Sequence, residues 1–376
     1  LTKRIIRDNG NDILCNAYPP KDRVRCTTSG STLEPMAFYD TKENHVSISF
    51  GARQRVRSAH GVGLGTKCVF LSIRYQPDSI GTRISRGTIE GLNRTLRLYS
   101  SLIFRDGISK YAEKAYKFRP EVILGSPSPV GVLARYLQHN PGLTPRVHAV
   151  LVGGEQLTLQ DRELFRNVFN CETYDSYGAE EQHTIAFQCR EHDGYHIVAE
   201  NTVVEIVDDA NRLLPPGQPG RVLITNLHNY AMPLIRYDLG DIAVASDAQC
   251  RCGRGLPMLS SLLGREGEMI YTRSRGKIPG LYLWYECVKL LADRGIEQYQ
   301  IVQEEAGEIV VEISAAKEGL RDPSSLERSL KNEFGKILGE DTGILLRQVE
   351  KIVIPEYAKR KFVVSLLKEK GSVSGL

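Results

Sequence analysis

At 376 residues and 42.0 kDa the chain exceeds what one ordinary hydrophobic core organises, so a large unit with a smaller companion is expected. Its 41% hydrophobic and 25% charged residues are those of a globular protein and exclude a disordered chain. No run of about 18 apolar residues occurs, which excludes a membrane-spanning helix.

The start at Leu1 has no basic segment followed by an apolar one, so a cytoplasmic protein is expected, and the missing initiator Met suggests that the chain begins inside a longer product. The net charge of +4 says little alone, but Arg53 to Arg97 carries nine Lys/Arg against Asp78 and Glu90. Such a stretch is either a solvated basic face or an attraction for an anionic ligand such as a polyphosphate cofactor. Aromatics are not interleaved with it, which argues against a nucleic-acid partner.

In chain order, the first stretch of interest is VRCTTSGSTLEPMAFY at 24–39. Thr27 to Thr32 put many hydroxyls and backbone N–H groups on one turn, an arrangement that can wrap phosphate oxygens, although such turns are commonly only turns. From Glu121 the pattern alternates: a strand at 121–125, a helix at 130–139, a strand at 147–152, a helix at 159–169 opened by Thr158 with Asp161, and a strand at 172–176. Strands separated by helices imply a parallel sheet covered on both faces, with ligands at the carboxyl ends of its strands. Gly153-Gly154-Glu155 and Tyr177-Gly178-Ala179-Glu180-Glu181 fall at those ends.

Residues 196–246 read as short strands split by Gly, Pro and Asn turns: a small antiparallel barrel or sheet appended to the α/β body. After Arg265 strands at 299–303 and 308–313, a helix at about 324–338 and strands near 345–349 and 362–367 describe a compact α+β unit. The expected fold class is therefore α/β: a large domain over 1–264 with mostly parallel sheets and a small β-barrel subdomain at about 187–262, and a smaller α+β domain over 265–376.

Of eight cysteines, Cys15, Cys26, Cys68, Cys171 and Cys287 are isolated and are expected to be reduced, packed thiols. Cys189, His196, Cys250 and Cys252 are different, because three thiolates and one imidazole make a closed tetrahedral zinc set with no open position for water. His192 competes with His196; His196 is preferred because it leads a strand. His45, His60, His139, His148, His183 and His228 have no comparable partners in the sequence and are read as ordinary histidines.

Taken in order, TTSGSTLEP, VGGEQL, SYGAEE, QCREHDGYHI, TNLHNYAMPLIRYDLGD, CRCGRGLP and LGREGEM, with a Lys-rich end, resemble the adenylate-forming enzymes. The nearest group is the phenylacetate-CoA ligase, coenzyme F390 synthetase and capsule-biosynthesis branch, over about Leu1 to Ser365. Such enzymes usually carry further residues ahead of the position matching Leu1. The resemblance implies two steps: a carboxylate attacks ATP to give an acyl-adenylate and pyrophosphate, and then a nucleophile such as the CoA thiol displaces AMP.

It further implies that Thr28, Ser29, Gly30, Ser31 and Thr32 cradle phosphates and that Glu181 holds Mg2+. Gly153, Gly154 and Glu155 line the adenine pocket, with Ser176, Tyr177 and Gly178 at its edge and Tyr177 stacked on the base. Asp241 accepts from the ribose hydroxyls, Arg265 pairs with the ribose-phosphate region, and Lys359 reaches the α-phosphate from a mobile small domain. The implied partners are a small organic or aryl acid and CoA or a carrier-protein thiol, in a homodimer. Against the pattern, Leu33 stands where glycine is usual, Glu34 where a basic residue is frequent, and Glu180 where a hydroxyl is usual. These departures favour an alternative, a catalytically degenerate ligand-binding scaffold.

Overall fold

The computed structural model describes residues 1–28, 36–72, 91, 94–99, 107–265, 268–291, 294, 296–315, 320, 322–352 and 363–367. Ser29, Gly30, Ser31, Thr32, Leu33, Glu34, Gly267 and Lys359 lie outside the described residues, as does the whole 73–90 part of the basic stretch.

After the helix Lys3–Ile13, a hairpin forms from β1 (Arg23–Thr27) and β2 (Ala37–Thr41), followed by the helix Ser49–Ser58. The next five strands are β3 (Cys68–Ser72), β4 (Thr95–Tyr99), β5 (Val122–Gly125), β6 (Ala149–Gly153) and β7 (Glu172–Ala179). They pair in parallel in the order β4-β3-β5-β6-β7, with the helices Ile108–Phe118, Pro127–His139 and Leu159–Phe169 as connections.

The reason lies in the strand sequences. Ala149 to Val152 is apolar at every position, so both faces must be covered. Val150 and Val152 pack with Leu133, Leu137, Phe165 and Phe169 of the helices, whereas Ala149 and Leu151 face Val62, Leu124 and Tyr174 on the opposite side. The helix Leu159–Phe169 starts where Thr158 and Asp161 satisfy each other. The Asp161 amide donates to Thr158 Oγ1 at 2.9 Å, and the Thr158 hydroxyl donates to Asp161 Oδ2 at 2.7 Å.

The antiparallel strands are β8 (His183–Gln188), β9 (Tyr195–Ile197), β10 (Thr202–Val207), β11 (Pro219–Asn226), β12 (Tyr237–Ser246) and β13 (Met258–Arg265). Of the small antiparallel barrel or sheet expected beside the α/β body, the structure has a sheet, and it is continuous with the parallel strands. β7 turns back into β8, and pairing continues without a break, so one mixed sheet of 11 strands runs β10-β11-β12-β13-β9-β8-β7-β6-β5-β3-β4. The two-residue-period pattern fixes strands but not which edge they join; the tight reversal at 179–183 sets that here. The apolar face of this half, with Ile185, Ile206, Ile224, Leu234 and Tyr237, packs against Ile6, Met36 and Phe38.

Beyond residue 265 lie β14 (Met269–Thr272) and β15 (Gly276–Pro279), which form a hairpin, and the helix Gly280–Leu291. They are followed by β16 (Ile296–Gln303), β17 (Glu308–Ala315), the helix Pro323–Leu338, β18 (Gly343–Gln348) and β19 (Val363–Ser365). The last four strands form a sheet ordered β18-β17-β16-β19. Leu326, Leu330, Phe334 and Leu338 recur at helical spacing and bury against Ile301, Ile309 and Val311 in a core cluster of their own. Among the described residues no helix is long and apolar enough to cross a membrane.

Candidate functional site

A cavity of about 950 Å³ opens at the carboxyl ends of the parallel strands. It draws Gly153, Gly154 and Glu155 from the end of β6, Ser176 to Glu181 from the end of β7, Asp241 from β12 and Arg265 from the end of β13. Thr28, at the start of the Ser/Thr/Gly turn, and Lys3 reach it from the N-terminal segment. The described residues that the resemblance assigns to the nucleotide thus meet in one place.

The crossing from β6 to β7 explains why small residues stand there. A Cβ at Gly153 would collide with the Ser176 hydroxyl and carbonyl, and one at Gly178 would run into the His183 carbonyl. Ser176 meanwhile donates to the Val152 carbonyl at 2.9 Å, pinning the two strand ends together. Glu155 does more than line the pocket: its Oε2 accepts from the Ser128 amide at 3.0 Å, capping the N-terminus of Pro127–His139.

The carboxylates are held by named donors. Asp241 Oδ2 accepts from the Tyr177 hydroxyl at 2.6 Å, and its Oδ1 accepts from Arg265 Nε at 3.1 Å. Burial, with the Asp241 charge adding to it, holds the Tyr177 phenol well above its ordinary range, so it remains a donor. Burial would lower the Arg265 guanidinium, but Asp241 and Glu268 outweigh it and keep its pKa above the usual arginine value. Glu181 is 5% exposed, and its Oε1 accepts from the Tyr237 hydroxyl at 2.7 Å. Lys3 is held below the usual lysine range by burial and by Arg265, while Glu181 and Asp241 pull it upward.

Two cavity residues escaped the sequence reading. Lys3 stands more than a hundred residues before Glu181, with no local motif around it. Asp175 is buried and lines the cavity, its Oδ2 accepting from the Tyr195 hydroxyl at 2.8 Å while its Oδ1 has no hydrogen-bond partner. Burial pushes its carboxyl up to about 7, with Tyr195 and Arg162 opposing the shift. Its position one residue before Ser176-Tyr177-Gly178 was the available signal.

Away from the cavity, Cys189, His196, Cys250 and Cys252 converge, their ligand atoms all within 4.8 Å of one another. Cys189 Sγ lies 3.5 Å from Cys250 Sγ, and Cys252 Sγ lies 3.4 Å from His196 Nε2. Cys189 and His196 are 0% exposed. The competitor His192 is elsewhere engaged, its ring stacked on Tyr174 at 4.9 Å and Nε2 3.6 Å from Glu172. The expectation that His45 and His183 are unpartnered does not hold: both face Asp40.

Residues 95–231 match the sequence model of the AMP-binding enzyme family. A phenylacetate-coenzyme A ligase of Thermus thermophilus is 28% identical over 231 residues, 60% of this chain and 48% of the relative. Protein CapK of Staphylococcus aureus is 23% identical over 373 residues, 98% of this chain and 79% of the relative. This chain therefore spans about half the length of the first of these relatives. In fold, it superposes with a TM-score of 0.74 and 19% identity on a 2-hydroxyisobutyryl-CoA ligase in complex with 2-HIB-AMP, covering 97% of this chain and 79% of that one. In sequence the chain is similar to AMP-binding enzymes over residues 95–231, and in fold it is similar to a CoA ligase.

Proposed function

We propose that the protein is an ATP-dependent ligase that activates a small organic or aryl acid as its acyl-adenylate and passes the acyl group to CoA or a carrier-protein thiol. The observation that carries this reading is the convergence of Thr28, Tyr177, Glu181, Asp241 and Arg265 on one cavity at the strand ends. Two relatives are named phenylacetate-coenzyme A ligase, and a solved fold neighbour holds an acyl-AMP.

In the first step a carboxylate oxygen bonds to the α-phosphorus as the bond to pyrophosphate breaks. Asp241 offers two oxygens to a ribose cis-diol once Tyr177 and Arg265 yield or share them. Tyr177, freed from Asp241, presents its ring to the adenine, against the wall made by Gly153, Gly154 and Glu155. Arg265 supplies positive charge beside the ribose-phosphate, and Lys359 is assigned the developing charge on the α-phosphate. Thr28 to Thr32 are assigned to the phosphates by their hydroxyls and backbone N–H groups. Glu181 would hold Mg2+, which when bound neutralises phosphate charge. In the second step a thiolate attacks the acyl carbon and AMP leaves. Residues from 265 onward are proposed to form a domain that rotates between the two steps.

The Cys189, His196, Cys250 and Cys252 group is proposed as a structural zinc site. Its donor set suits zinc: three sulfurs and one imidazole, buried and mutually close, with no place for substrate.

A second reading, binding without turnover, draws on Glu180, which adds a carboxylate to the cavity wall beside Glu181, and on Leu33 and Glu34 in the phosphate turn. The full chain incubated with ATP, Mg2+ and a panel of acids decides between them. Acid-dependent pyrophosphate release that disappears in Lys359→Ala supports the ligase. Tight AMP or ATP binding with no release across the panel overturns it in favour of the scaffold.

A further inference from the structure

We propose that Asp40, His45 and His183 form a binding site for one divalent transition-metal ion, separate from the cysteine-rich group and independent of the ligase reading. Asp40 lies on β2 and is 2% exposed. Its Oδ1 is fully engaged, accepting from the Thr41 amide and from Asn44 Nδ2, each at 2.8 Å. Those two bonds fix the carboxylate so that Oδ2 faces the imidazoles, 3.8 Å from His45 Nδ1 and 3.5 Å from His183 Nε2.

The three ligand atoms lie within 4.8 Å of one another, the separation of donors around a common ion rather than of a hydrogen-bonded chain. His183 Nε2 is shielded from solvent and makes no hydrogen bond. The rings meet edge to face, with centroids 5.5 Å apart, so neither imidazole covers the other. Among the described residues Asp40 has no Lys or Arg as an ion-pair partner. A buried carboxylate facing two imidazoles with no fixed cation is costly unless something positive completes the group.

The donor chemistry selects the ion. Two imidazoles and one carboxylate suit zinc, cobalt, nickel or iron and disfavour magnesium or calcium, which prefer all-oxygen ligands. Cys26 Sγ stands at the rim, 3.7 Å from His45 Nδ1, and adds a soft neighbour.

The placement gives the ion a structural consequence. Asp40 belongs to β2 and His45 to the short π-helical segment Asn44–Ile48 that follows it, whereas His183 opens β8 just after the Tyr177 to Glu181 segment. His183 takes a left-handed backbone, φ 60°, which sets its side chain toward Asp40. A shared ion would tie the hairpin that carries Thr28 to the reversal that carries Glu181, two walls of the cavity that the chain connects only distantly.

The test is metal titration of the metal-depleted full chain with Zn2+ and with Co2+. The expected result is two ions per wild-type chain. His45→Gln, at a half-exposed position that tolerates the change, binds one fewer, with an unchanged far-ultraviolet circular dichroism spectrum. The Co2+ lost in His45→Gln lacks intense thiolate charge-transfer absorption, whereas Cys252→Ser loses that absorption and retains the other ion. A wild type that binds one thiolate-ligated ion, or a His45→Gln chain that still binds two, overturns the proposal. One ion without thiolate absorption, lost in His45→Gln, supports this site and removes the cysteine-rich one.

Discussion

The cysteine-rich group and the cavity at the strand ends treat their polar atoms in opposite ways. In the former, Cys189, Cys250, Cys252 and His196 have chiefly one another, packed sulfur to sulfur and sulfur to nitrogen in a buried place. In the cavity, Tyr177, Asp241 and Arg265 form a chain of hydrogen bonds, and Glu181 is bonded to Tyr237. On the proposed zinc reading, donors collected without better partners make a permanent cross-link whose binding energy is folding energy. Partners that already satisfy one another describe a site kept in shape between visits and exchanged when a ligand enters. The two regions should therefore fail differently when altered, one in stability and the other in turnover.

The largest effect is expected on the cross-link. Cys252→Ser should abolish tight metal binding at the cysteine-rich group and lower the melting temperature by about 10 °C, because several kcal/mol of coordination energy are lost. Differential scanning calorimetry with parallel metal analysis checks this. A variant that has lost the thiolate-ligated ion yet melts like the wild type would sink the structural reading and blur the contrast between the regions.

Next comes the cavity. Asp241→Ala removes the acceptor for both Tyr177 and Arg265 and, on the proposed role, for the ribose hydroxyls. It should lower kcat/KM for acid-dependent pyrophosphate release about 100-fold, the loss of roughly 3 kcal/mol of charge-assisted hydrogen bonding. Its melting temperature should move far less than that of Cys252→Ser. Tyr237→Phe is gentler: it deletes only the hydroxyl that orients Glu181. The expected result is about a fivefold higher Mg2+ requirement, corresponding to about 1 kcal/mol. A Mg2+ titration that superposes on the wild type would detach Tyr237 from the site.

How much of this was legible follows the physics of each signal. The helix Leu159–Phe169 was readable to the residue because Thr158 and Asp161 form its cap locally. The strand β10, Thr202–Val207, was equally clear, because β-branched residues between turn residues leave few options. The junction of the two half-sheets was not readable, since it depends on β7 pairing with β8 and β9 with β13, which no local pattern encodes. In the cavity, Tyr177 and Asp241 were found through motifs, but their mutual hydrogen bond spans 64 positions. Lys3 and Asp40 were missed for the same reason: neither carries a recognisable motif, and each gains meaning from a residue more than a hundred positions away.

Asp175 stands between the two regions, inside the cavity but tied to the fold, and it gives the smallest and most specific prediction. Its carboxyl is raised from 3.8 to about 7 by burial. The folded state therefore holds a proton that the unfolded state releases, so this group's stabilising contribution is complete below 3.8 and is lost as pH rises through about 7. Asp175→Asn keeps the shape and removes the titration. The difference in melting temperature between variant and wild type should change steadily across that window, with the variant gaining relative stability as pH rises. A difference flat from pH 4 to pH 8 would mean that Asp175 ionises normally, and Tyr195 would then be bonded to a fully charged carboxylate within the cavity wall.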